Sequence, residues 1–360
     1  MVGGGINGVM AAWALARDGH QVELFERGAL MGETSGASTK LLHGGLRYLE
    51  NGEFGLVRES LRERSWWVGQ APQLAKPLGL ILPIYRGRGR HPLILKLGLW
   101  LYDQLAGGRS FGRHRRLDRS EVLARVPDLR PEGLEGGFLF YDVQMDDHAL
   151  GLWAAEQARA AGVLVHEDTG VEQVGEDGRL LAGGPRRADV VVNAAGPWCR
   201  RLLDASGIPA GHRLDLVRGS HLVLDRPLSV GLFLQVPGET RICFALPWKG
   251  RTLLGTTEVR QGLDEPIRCS PEEERYLLDV HASAFAAPAR PEEVVERFAG
   301  LRPLVDSGSA NPGRTTREYV LEEQGRVLSV FGGKWTTARV LGERVAERCG
   351  RLLDRLGPAR

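Results

Sequence analysis

The chain opens with three glycines at the spacing Gly-x-Gly-x-x-Gly, which are Gly3, Gly5 and Gly8. A helical pattern follows as far as Arg17, and then a short strand pattern that ends at Glu26. In a β-α-β unit, glycines at this spacing allow a tight turn, the approach of a pyrophosphate to the backbone, and close packing of the helix on the sheet. The N-terminus of the helix then offers unpaired N–H groups to the pyrophosphate. We therefore predict a Rossmann-like dinucleotide-binding unit, in which Glu26 accepts the ribose hydroxyls of an adenosine.

The strand in front of Gly3 is represented by Met1 and Val2 alone, whereas a strand usually has about five residues. We expect either a stunted first strand, which would weaken the middle of the sheet, or a start that lacks several residues. A glycine-rich turn without a cofactor is the alternative interpretation of this region. The helix, the second strand and the terminal acid together argue against that alternative.

A long polar loop, residues 32–45, follows the second strand at a point where a simple nicotinamide enzyme would continue with further β-α-β units. This arrangement favours FAD as the dinucleotide. A second Gly-x-Gly-x-x-Gly fingerprint for NAD(P)H is not seen, since Gly183 and Gly184 are followed by Pro185 in a hairpin-like pattern. We therefore expect the electrons to enter from the substrate itself.

Composition narrows the classes of partner. The formal net charge is +2, so no overall field favours nucleic acid. No stretch reaches the ~18 uncharged apolar residues that span a bilayer, and no signal-peptide pattern opens the chain, which predicts a cytoplasmic protein. The four cysteines stand at least 26 residues apart, without the close spacing of metal or dithiol sites. We expect reduced thiols and no bound metal.

Eight short stretches carry a resemblance to a known family. They are GGGINGVMAA, TSGASTKLLHGGLRYLE, NAAGPWCRRL, RGSHLVL, LPWKGRTLLGTTE, GLRPL, TTREY and SVFGGKWTT. In this combination they resemble the FAD-dependent glycerol-3-phosphate dehydrogenases and oxidases, within the larger group of D-amino-acid-oxidase-like flavoproteins. The match is weak over residues 86–135, and the chain ends near residue 360 without the C-terminal helical domain of many members.

The resemblance implies an α/β fold with a discontinuous Rossmann-like FAD-binding domain and an inserted α+β substrate domain. Alternating apolar and polar residues over 217–260 independently predict antiparallel strands for the inserted part. The expected bounds of the FAD-binding domain are 1–75, 140–215 and 303–360. Those of the substrate or cap domain are 76–139 and 216–302.

The resemblance further implies oxidation of sn-glycerol 3-phosphate to dihydroxyacetone phosphate. Hydride would pass from C2 of the substrate to N5 of FAD, and the electrons would continue to a quinone or to oxygen. Another small 2-hydroxy acid or an amino acid is the alternative substrate within the same superfamily. A non-catalytic FAD-binding electron-relay module is the alternative outside enzyme chemistry. The number of candidate cations favours a phosphate over a carboxylate.

By the same resemblance, His221 is the first candidate for the general base, because a near-neutral imidazole can accept the hydroxyl proton as hydride leaves. His43 is the rival base, and Arg302 would orient the C2 hydroxyl. The candidates for the phosphate site are Arg47, Tyr48, Arg317 and Lys334. Taken singly, Arg47 also fits a solvated helix charge, and His43 a hydrogen-bonded turn residue.

The residues expected at the cofactor come from several distant parts of the chain. They are Gly3, Gly5, Ile6, Asn7, Gly8, Glu26, Ser38, Thr39, Lys40, Gly44, Gly45, Val171, Ala195, Gly196, Trp198, Gly332, Gly333, Lys334 and Thr336. A helix that begins near Trp335 is expected to direct the N–H groups of 333–336 at the pyrimidine edge of the flavin, where negative charge accumulates on reduction.

Residues 86–119 combine nine Lys or Arg with two Asp, a net charge of +7, around a run of Leu, Ile and Trp. Such a segment can lie on an anionic membrane surface and bring the flavin close to a quinone. The alternative is that its apolar residues cap the substrate domain while its arginines are solvated. Peripheral contact with the inner face of the cell membrane through 86–119, and a homodimer, are both left open. Nucleic acid is not an expected partner.

Overall fold

The computed structural model describes residues 1–306 and 319–359, without the side chains of Arg47 and Asn51. The described residues form eight α-helices and eighteen β-strands. The helices are α1 Ile6–Arg17, α2 Phe54–Gln70, α3 Pro92–Ala106, α4 Arg119–Arg125, α5 Asp147–Ala160, α6 Cys199–Ala205, α7 Pro271–Ala284 and α8 Ala338–Leu356. The strands are β1 Glu23–Phe25, β2 Leu41–Leu42, β3 Ala75–Tyr85, β4 Arg115–Leu117, β5 Leu134–Met145, β6 Leu164–His166, β7 Val171–Val174, β8 Arg179–Ala182, β9 Pro185–Arg187, β10 Val191–Asn193, β11 Leu214–Leu224, β12 Gly231–Gln235, β13 Ile242–Trp248, β14 Arg251–Gly255, β15 Val259–Arg260, β16 Val294–Val305, β17 Val320–Gln324 and β18 Val327–Phe331.

The first sheet is the Rossmann-like one. Its parallel part runs in the order β6, β1, Val2, β10 and β18, and β17 joins β18 antiparallel at the edge. Val2 alone takes the place of the first strand, with a parallel bridge to Phe25 on one side and to Asn193 on the other. The first strand is therefore represented by a single bridged residue in the middle of the sheet.

Helix α1 packs against both α5 and α8 beside this sheet. A Cβ atom on Gly342 of α8 would lie 2.6 Å from the backbone of Met10, so these two helices approach closely because position 342 has no side chain. Helix α5 begins at the N-cap residue Asp146, whose carboxylate accepts the Ala149 N–H at 3.2 Å. A carboxylate at the N-cap satisfies one of the backbone N–H groups that a helix leaves without an internal partner.

Five tryptophans form a connected cluster beside the same core. Their ring centroids are 5.1 Å apart for Trp335 and Trp67, 4.9 Å for Trp67 and Trp66, 6.2 Å for Trp66 and Trp13, and 6.1 Å for Trp13 and Trp153. Two of the indoles also donate hydrogen bonds to backbone oxygens, Trp335 to Ser35 at 2.9 Å and Trp67 to Thr336 at 3.2 Å. The cluster, here called the tryptophan cluster, thereby joins α1, α2 and α5 to the loop before α8.

The second sheet has ten strands. Its main path is β15, β11, β14, β13, β12, β3, β5 and β2, while β16 pairs with β11 and β4 pairs with β5. All of these pairs are antiparallel except β12 with β3. The predicted fold class, a Rossmann-like unit combined with an antiparallel sheet, is confirmed. The register of β11 on β16 sets His221 opposite Phe298, and Val217 opposite Arg302.

Helix α8 begins later than the sequence predicted. It starts at Ala338 with Thr337 as N-cap, so residues 333–336 lie in the loop before the helix and not in its first turn. Gly332 and Gly333 have φ angles of +83° and +105°, outside the helical region, which delays the start of the helix. The predicted hairpin at Gly183 and Gly184 is present between the antiparallel strands β8 and β9.

Helix α3 divides its apolar residues between two faces. Leu95, Leu99 and Tyr102 are buried against the second sheet. The other face carries Leu93, Ile94, Leu97 and Trp100, which are 69%, 61%, 63% and 51% exposed. Within 1–306 and 319–359, no helix combines the length and the apolar character needed to cross a membrane.

Candidate active site

A cavity of ≈ 620 Å³ is lined by residues of both sheets. Its wall includes the turn after Val2, the end of β1 and the turn after β10. It also includes His221, Phe244 and Arg302 from the antiparallel sheet. Its size lies within the range of ~300–1,000 Å³ that is usual for cofactor and ligand sites.

The glycines of the opening motif are required by close backbone contacts. Gly3 has a φ of +100°, and a Cβ atom there would lie 2.6 Å from the Ala194 carbonyl oxygen. On Gly8, a Cβ atom would lie 2.0 Å from the Gly3 oxygen. Gly5 and the first residues of α1, Ile6 and Asn7, lie on the cavity wall, so the positive end of the helix opens into the cavity.

Glu26 lies at the end of β1 on the cavity wall, as predicted. Its Oε2 accepts the Gly4 N–H at 2.7 Å, and its Oε1 accepts the Gly28 N–H at 3.0 Å. A carboxylate offers about four acceptor positions, so two remain for ribose hydroxyls. Nearby, the Arg27 guanidinium stacks 3.8 Å from the centroid of the Trp198 ring. An acid held in place beside a helix N-terminus fits the adenosine and pyrophosphate of FAD.

His221 lies on β11 and contributes to the cavity wall. The ring stacks on Phe298 at 4.8 Å between centroids, and its Nε2 shares a hydrogen bond of 2.9 Å with the Thr39 hydroxyl. Gly255 makes room for it, because a Cβ atom there would lie 2.1 Å from the imidazole. His221 is 1% exposed.

The electrostatic surroundings of His221 disfavour its charged form. Burial lowers the pKa of this imidazole well below 6.5, and the positive charges of Arg302 and Lys40 lower it further. His221 is therefore neutral at physiological pH and can accept a proton, but it is a weaker base than the near-neutral imidazole expected from the sequence.

Arg302 lies on β16 with its guanidinium at the cavity. Its Nη2 donates to the Thr256 hydroxyl at 2.7 Å, and its Nη1 lies 3.8 Å from the Glu258 carboxylate. Gly219 is the reason that this side chain fits, since a Cβ atom there would lie 2.0 Å from Nη2. Thr256 and Glu258 also line the cavity, and the sequence analysis did not select either. Their stretch, LLGTTE, was part of the family resemblance and could have indicated them.

A further cation on the cavity wall is Lys334, whose ammonium lies 4.1 Å from the centroid of the Tyr48 ring. His43 lies beside the same tyrosine, with 5.9 Å between the ring centroids. Arg317 falls outside the described residues, and the side chain of Arg47 is also outside them. The predicted phosphate cluster is thus described for Tyr48 and Lys334 alone.

Three predicted cofactor residues do not lie on the cavity wall: Gly8, Lys40 and Gly44. The Lys40 ammonium is buried, forms an ion pair with Asp147 and donates to the Gly36 carbonyl oxygen at 2.7 Å. Asp147 offers this ammonium a buried countercharge, and the position of Lys40 at the cofactor stays a prediction. The predicted residues on the wall are Gly3, Gly5, Ile6, Asn7, Glu26, Ser38, Thr39, His43, Gly45, Tyr48, Val171, Ala195, Gly196, Trp198, His221, Arg302, Gly332, Gly333, Lys334 and Thr336.

A protein-family model described as DAO, FAD dependent oxidoreductase, matches residues 1–348. The chain is 37% identical to the glycerol-3-phosphate dehydrogenase of Pseudomonas aeruginosa, with 100% of this chain and 72% of that protein covered. It is 35% identical to the D-erythritol 1-phosphate dehydrogenase of Brucella abortus, with 99% and 74% covered.

Among solved structures, the chain is similar to the glycerol-3-phosphate dehydrogenase from Bacillus halodurans complexed with FAD, with a TM-score of 0.79 and 26% identity. The similarity covers 100% of this chain and 65% of that one, so this chain spans less than two thirds of the solved protein. The predictions of the family and of FAD as cofactor are confirmed. By its sequence and its fold, the chain belongs to the DAO family of FAD-dependent oxidoreductases.

Proposed function

We propose that this protein oxidises sn-glycerol 3-phosphate to dihydroxyacetone phosphate. The observation that carries the proposal is that one cavity wall combines Glu26 and the N-terminus of α1 with His221, Arg302 and Lys334. Relatives named glycerol-3-phosphate dehydrogenase support it, at 33% to 37% identity in Pseudomonas aeruginosa and Escherichia coli. FAD supplies the hydride acceptor when it is bound.

The proposed roles follow from the chemistry of each side chain. The Arg302 guanidinium orients the C2 hydroxyl and stabilises the negative charge that develops on its oxygen. His221 accepts the hydroxyl proton as the C2 hydrogen leaves, and Thr39 holds its ring through the Nε2 hydrogen bond. His43 remains the rival base. A dianionic substrate beside His221 raises the pKa of the imidazole, which offsets part of its depression by burial.

The phosphate group is assigned to the cationic side of the cavity. Lys334 lines it together with Tyr48, and the family resemblance adds Arg47 and Arg317. Cations of this kind recognise phosphate oxygens through charge-assisted hydrogen bonds. The assignment of Arg47 and Arg317 rests on the sequence alone.

The electron acceptor and the place of the enzyme in the cell belong to the same proposal. The exposed apolar face of α3, with Leu93, Ile94, Leu97 and Trp100, lies within the basic segment 86–119. We assign to it a peripheral contact with the inner face of the cell membrane, where a quinone is the electron acceptor. Oxygen is the alternative acceptor, and a homodimer is still a prediction.

The division of the chain into an FAD-binding domain and a substrate domain also stays a prediction. The bounds are 1–75, 140–215 and 303–360 for the first and 76–139 and 216–302 for the second. In support, β4 and β12 to β15 lie within the second set of ranges and belong to the antiparallel sheet, but β2 and the end of β5 belong to that sheet although they lie within the first set.

One experiment tests the proposed activity. FAD-saturated protein is mixed anaerobically with sn-glycerol 3-phosphate, and the loss of the oxidised flavin absorption is followed. We expect bleaching with sn-glycerol 3-phosphate, none with glycerol, and recovery of colour when a quinone analogue is admitted. Protein that binds FAD but keeps its colour with sn-glycerol 3-phosphate would contradict the proposal.

A second polyol phosphate is the alternative that a specific observation favours. The relative from Brucella abortus, 35% identical, is named for D-erythritol 1-phosphate. Faster bleaching by D-erythritol 1-phosphate than by sn-glycerol 3-phosphate would favour that substrate. Bleaching by a 2-hydroxy acid or an amino acid would favour the oxidase alternative.

A further inference from the structure

A buried acid on the wall of the same cavity holds the glycine loop that follows β2, and the proposed activity gives it no role. Asp142 on β5 is 3% exposed, and its Oδ1 receives three donors. The Gly44 N–H donates at 2.9 Å, the Tyr102 hydroxyl at 2.7 Å, and Nη1 of Arg64 at 2.6 Å. These donors come from the loop after β2, from α3 and from α2. One carboxylate therefore joins four parts of the chain, here called the Asp142 cluster.

In the Asp142 cluster, the positive charge of Arg64 is paired with the negative charge of Asp142. Arg64 is 1% exposed and also donates to the Tyr141 carbonyl oxygen at 2.6 Å. Burial raises the pKa of Asp142, while the Arg64 charge and the hydrogen bonds from Gly44 and Tyr102 act in the opposite direction. A buried ion pair is weak evidence for a stabilising role, because well-packed apolar residues often replace it without loss. An apolar residue cannot hold the Gly44 N–H in one position.

The backbone at Gly44 is also confined sterically. A Cβ atom there would lie 2.3 Å from the Tyr102 hydroxyl oxygen and 2.4 Å from Cδ2 of Leu61. The loop is thus held by a hydrogen bond and by two side chains. Its neighbours on each side, His43 and Gly45, both lie on the cavity wall, whereas Gly44 does not.

We propose that Asp142 is a positioning residue that fixes how far the backbone of residues 43–45 projects into the cavity. Tyr102 links this backbone position to the packing of helix α3. His43 and Gly45 face the cavity, and Asp142 acts on them through Gly44. Helix α3 carries Tyr102 on its buried face and Trp100 on its exposed face. The position of residues 43–45 beside bound FAD therefore depends on contacts that extend to helix α3 at the surface. The inference depends on FAD binding and not on the identity of the substrate.

The test uses three variants of the FAD-loaded protein. Tyr102→Phe removes one oxygen atom and one donor to Asp142, and Asp142→Asn removes the charge. Asp103→Asn is the matched control, because Asp103 is the next residue on α3 and its charge also acts on Arg64, but it accepts hydrogen bonds from His114 N–H at 2.9 Å and Nδ1 at 2.7 Å and not from the Gly44 N–H. The readouts are the visible absorption spectrum of the bound flavin, the dissociation constant for FAD, and the melting temperature.

Tyr102→Phe and Asp142→Asn are expected to change the shape of the visible flavin bands. They should also weaken FAD binding by up to about tenfold, the limit reached when the whole free energy of one charge-assisted hydrogen bond within the protein is spent on displacing the loop. Asp103→Asn should leave the spectrum and the FAD affinity as in the parent. A role in stability alone would lower the melting temperature and leave the flavin spectrum unchanged. Parent-like spectra and FAD affinities in Tyr102→Phe would overturn the proposal, whether or not Asp142→Asn folds.

Discussion

At the scale of single residues, His221 shows how surroundings set a chemical role. Its Nε2 is engaged by the Thr39 hydroxyl, its ring lies flat on Phe298, and burial with two nearby cations keeps it neutral. A neutral buried imidazole suits a proton acceptor that acts only when substrate brings negative charge into the cavity. The same features would also suit a residue that only positions substrate, so the two roles must be separated kinetically.

The substitution His221→Gln should separate them. We expect flavin bleaching at saturating sn-glycerol 3-phosphate to slow by ~10²–10⁴, the usual contribution of a general base. The concentration for half-maximal rate should change little, because the phosphate contacts remain. Anaerobic stopped-flow absorbance gives both quantities. An unchanged limiting rate would transfer the base role to His43, for which His43→Gln is the companion variant.

Arg302→Lys tests the proposed role of the guanidinium that lines the cavity. A lysine keeps the charge but loses the planar donor that reaches Thr256 at 2.7 Å. We expect the limiting rate of bleaching to fall by about 10²-fold, the typical effect of removing one donor to a developing oxyanion. Arg297→Lys is a suitable control, because Arg297 pairs with Glu274 and is not on the cavity wall. A parent-like rate in Arg302→Lys would remove this residue from the chemistry.

A second buried histidine predicts a pH effect on stability. Burial and the Arg226 charge lower the pKa of His281 from 6.5 to about 4, and its Nδ1 accepts the Ala289 N–H at 3.1 Å. Below pH 6.5 the unfolded chain therefore binds a proton that the folded chain does not. The free energy of unfolding should fall by up to about 1.4 kcal/mol per pH unit for this group as the pH drops from 6.5 towards 4, and should be flat above 6.5.

Urea unfolding at pH 5.0, 6.0 and 7.5 measures this dependence. His281→Gln keeps an acceptor without a titrating group, so its stability should fall less steeply below pH 6.5 than that of the parent. His221 also has a lowered pKa, so some dependence should persist in the variant. Identical slopes for parent and variant would contradict the assignment.

Side-chain partners that are distant along the chain could not be predicted from the sequence. The resemblance selected His221 and Arg302, and both lie at the cavity. It did not reveal that Lys40 would pair with Asp147, because that partner is 107 positions away and the pairing depends on how α5 lies under the loop. Asp142 was missed for the same reason, since its donors come from three separate elements.

At the scale of elements, local patterns were sufficient where caps and glycines act on near neighbours. The capping box of Ser270 and Glu273 starts α7 as its sequence indicates. The start of α8 was placed too early, because the sequence does not show that positive φ angles at Gly332 and Gly333 carry the chain past Trp335 before it turns into a helix. Boundaries set by such a backbone path are not visible in apolar periodicity.

The contact between Gly8 of α1 and the turn at Gly3 gives a prediction at the scale of elements. In Gly8→Ala, the new Cβ atom would lie 2.0 Å from the Gly3 oxygen, so the helix must move. We expect a loss of about 1–3 kcal/mol in the free energy of unfolding, together with weaker FAD binding. Gly69→Ala is the control, because nothing lies within 4 Å of a Cβ atom there and the site is helical. Thermal unfolding and FAD titration compare the two variants. Equal stability and equal FAD affinity would show that the backbone at Gly3 and Gly8 moves apart without cost.

At the scale of the whole molecule, the discontinuous fold is the feature that sequence periodicity alone could not supply. The parallel strand pair β10 and β18 joins residues more than 130 positions apart, and the cavity takes residues from the first and the last part of the chain. The family resemblance provided this arrangement. Local patterns supplied the first β-α-β unit and the antiparallel strands, but not how they meet.

The surface of α3 gives the prediction that belongs to the whole molecule. Leu97→Asp should weaken binding to anionic lipid vesicles by at least about tenfold, since a buried leucine contributes roughly 1.5–3 kcal/mol and the new charge is repelled. Leu164→Asp is the matched control, because Leu164 is similarly exposed, at 61% against 63%, but lies on β6. Vesicle cosedimentation measures both variants. Parent protein that stays in the supernatant would argue against membrane contact through 86–119.

The tryptophan cluster gives the molecule a built-in optical reporter. Trp335 lies on the cavity wall and is linked by short ring contacts to four further indoles. Indole emission overlaps the absorption of oxidised flavin, so loading with FAD should quench the intrinsic fluorescence of the protein, and flavin release should restore it. Occupancy can then be followed continuously in a sample that contains neither substrate nor electron acceptor.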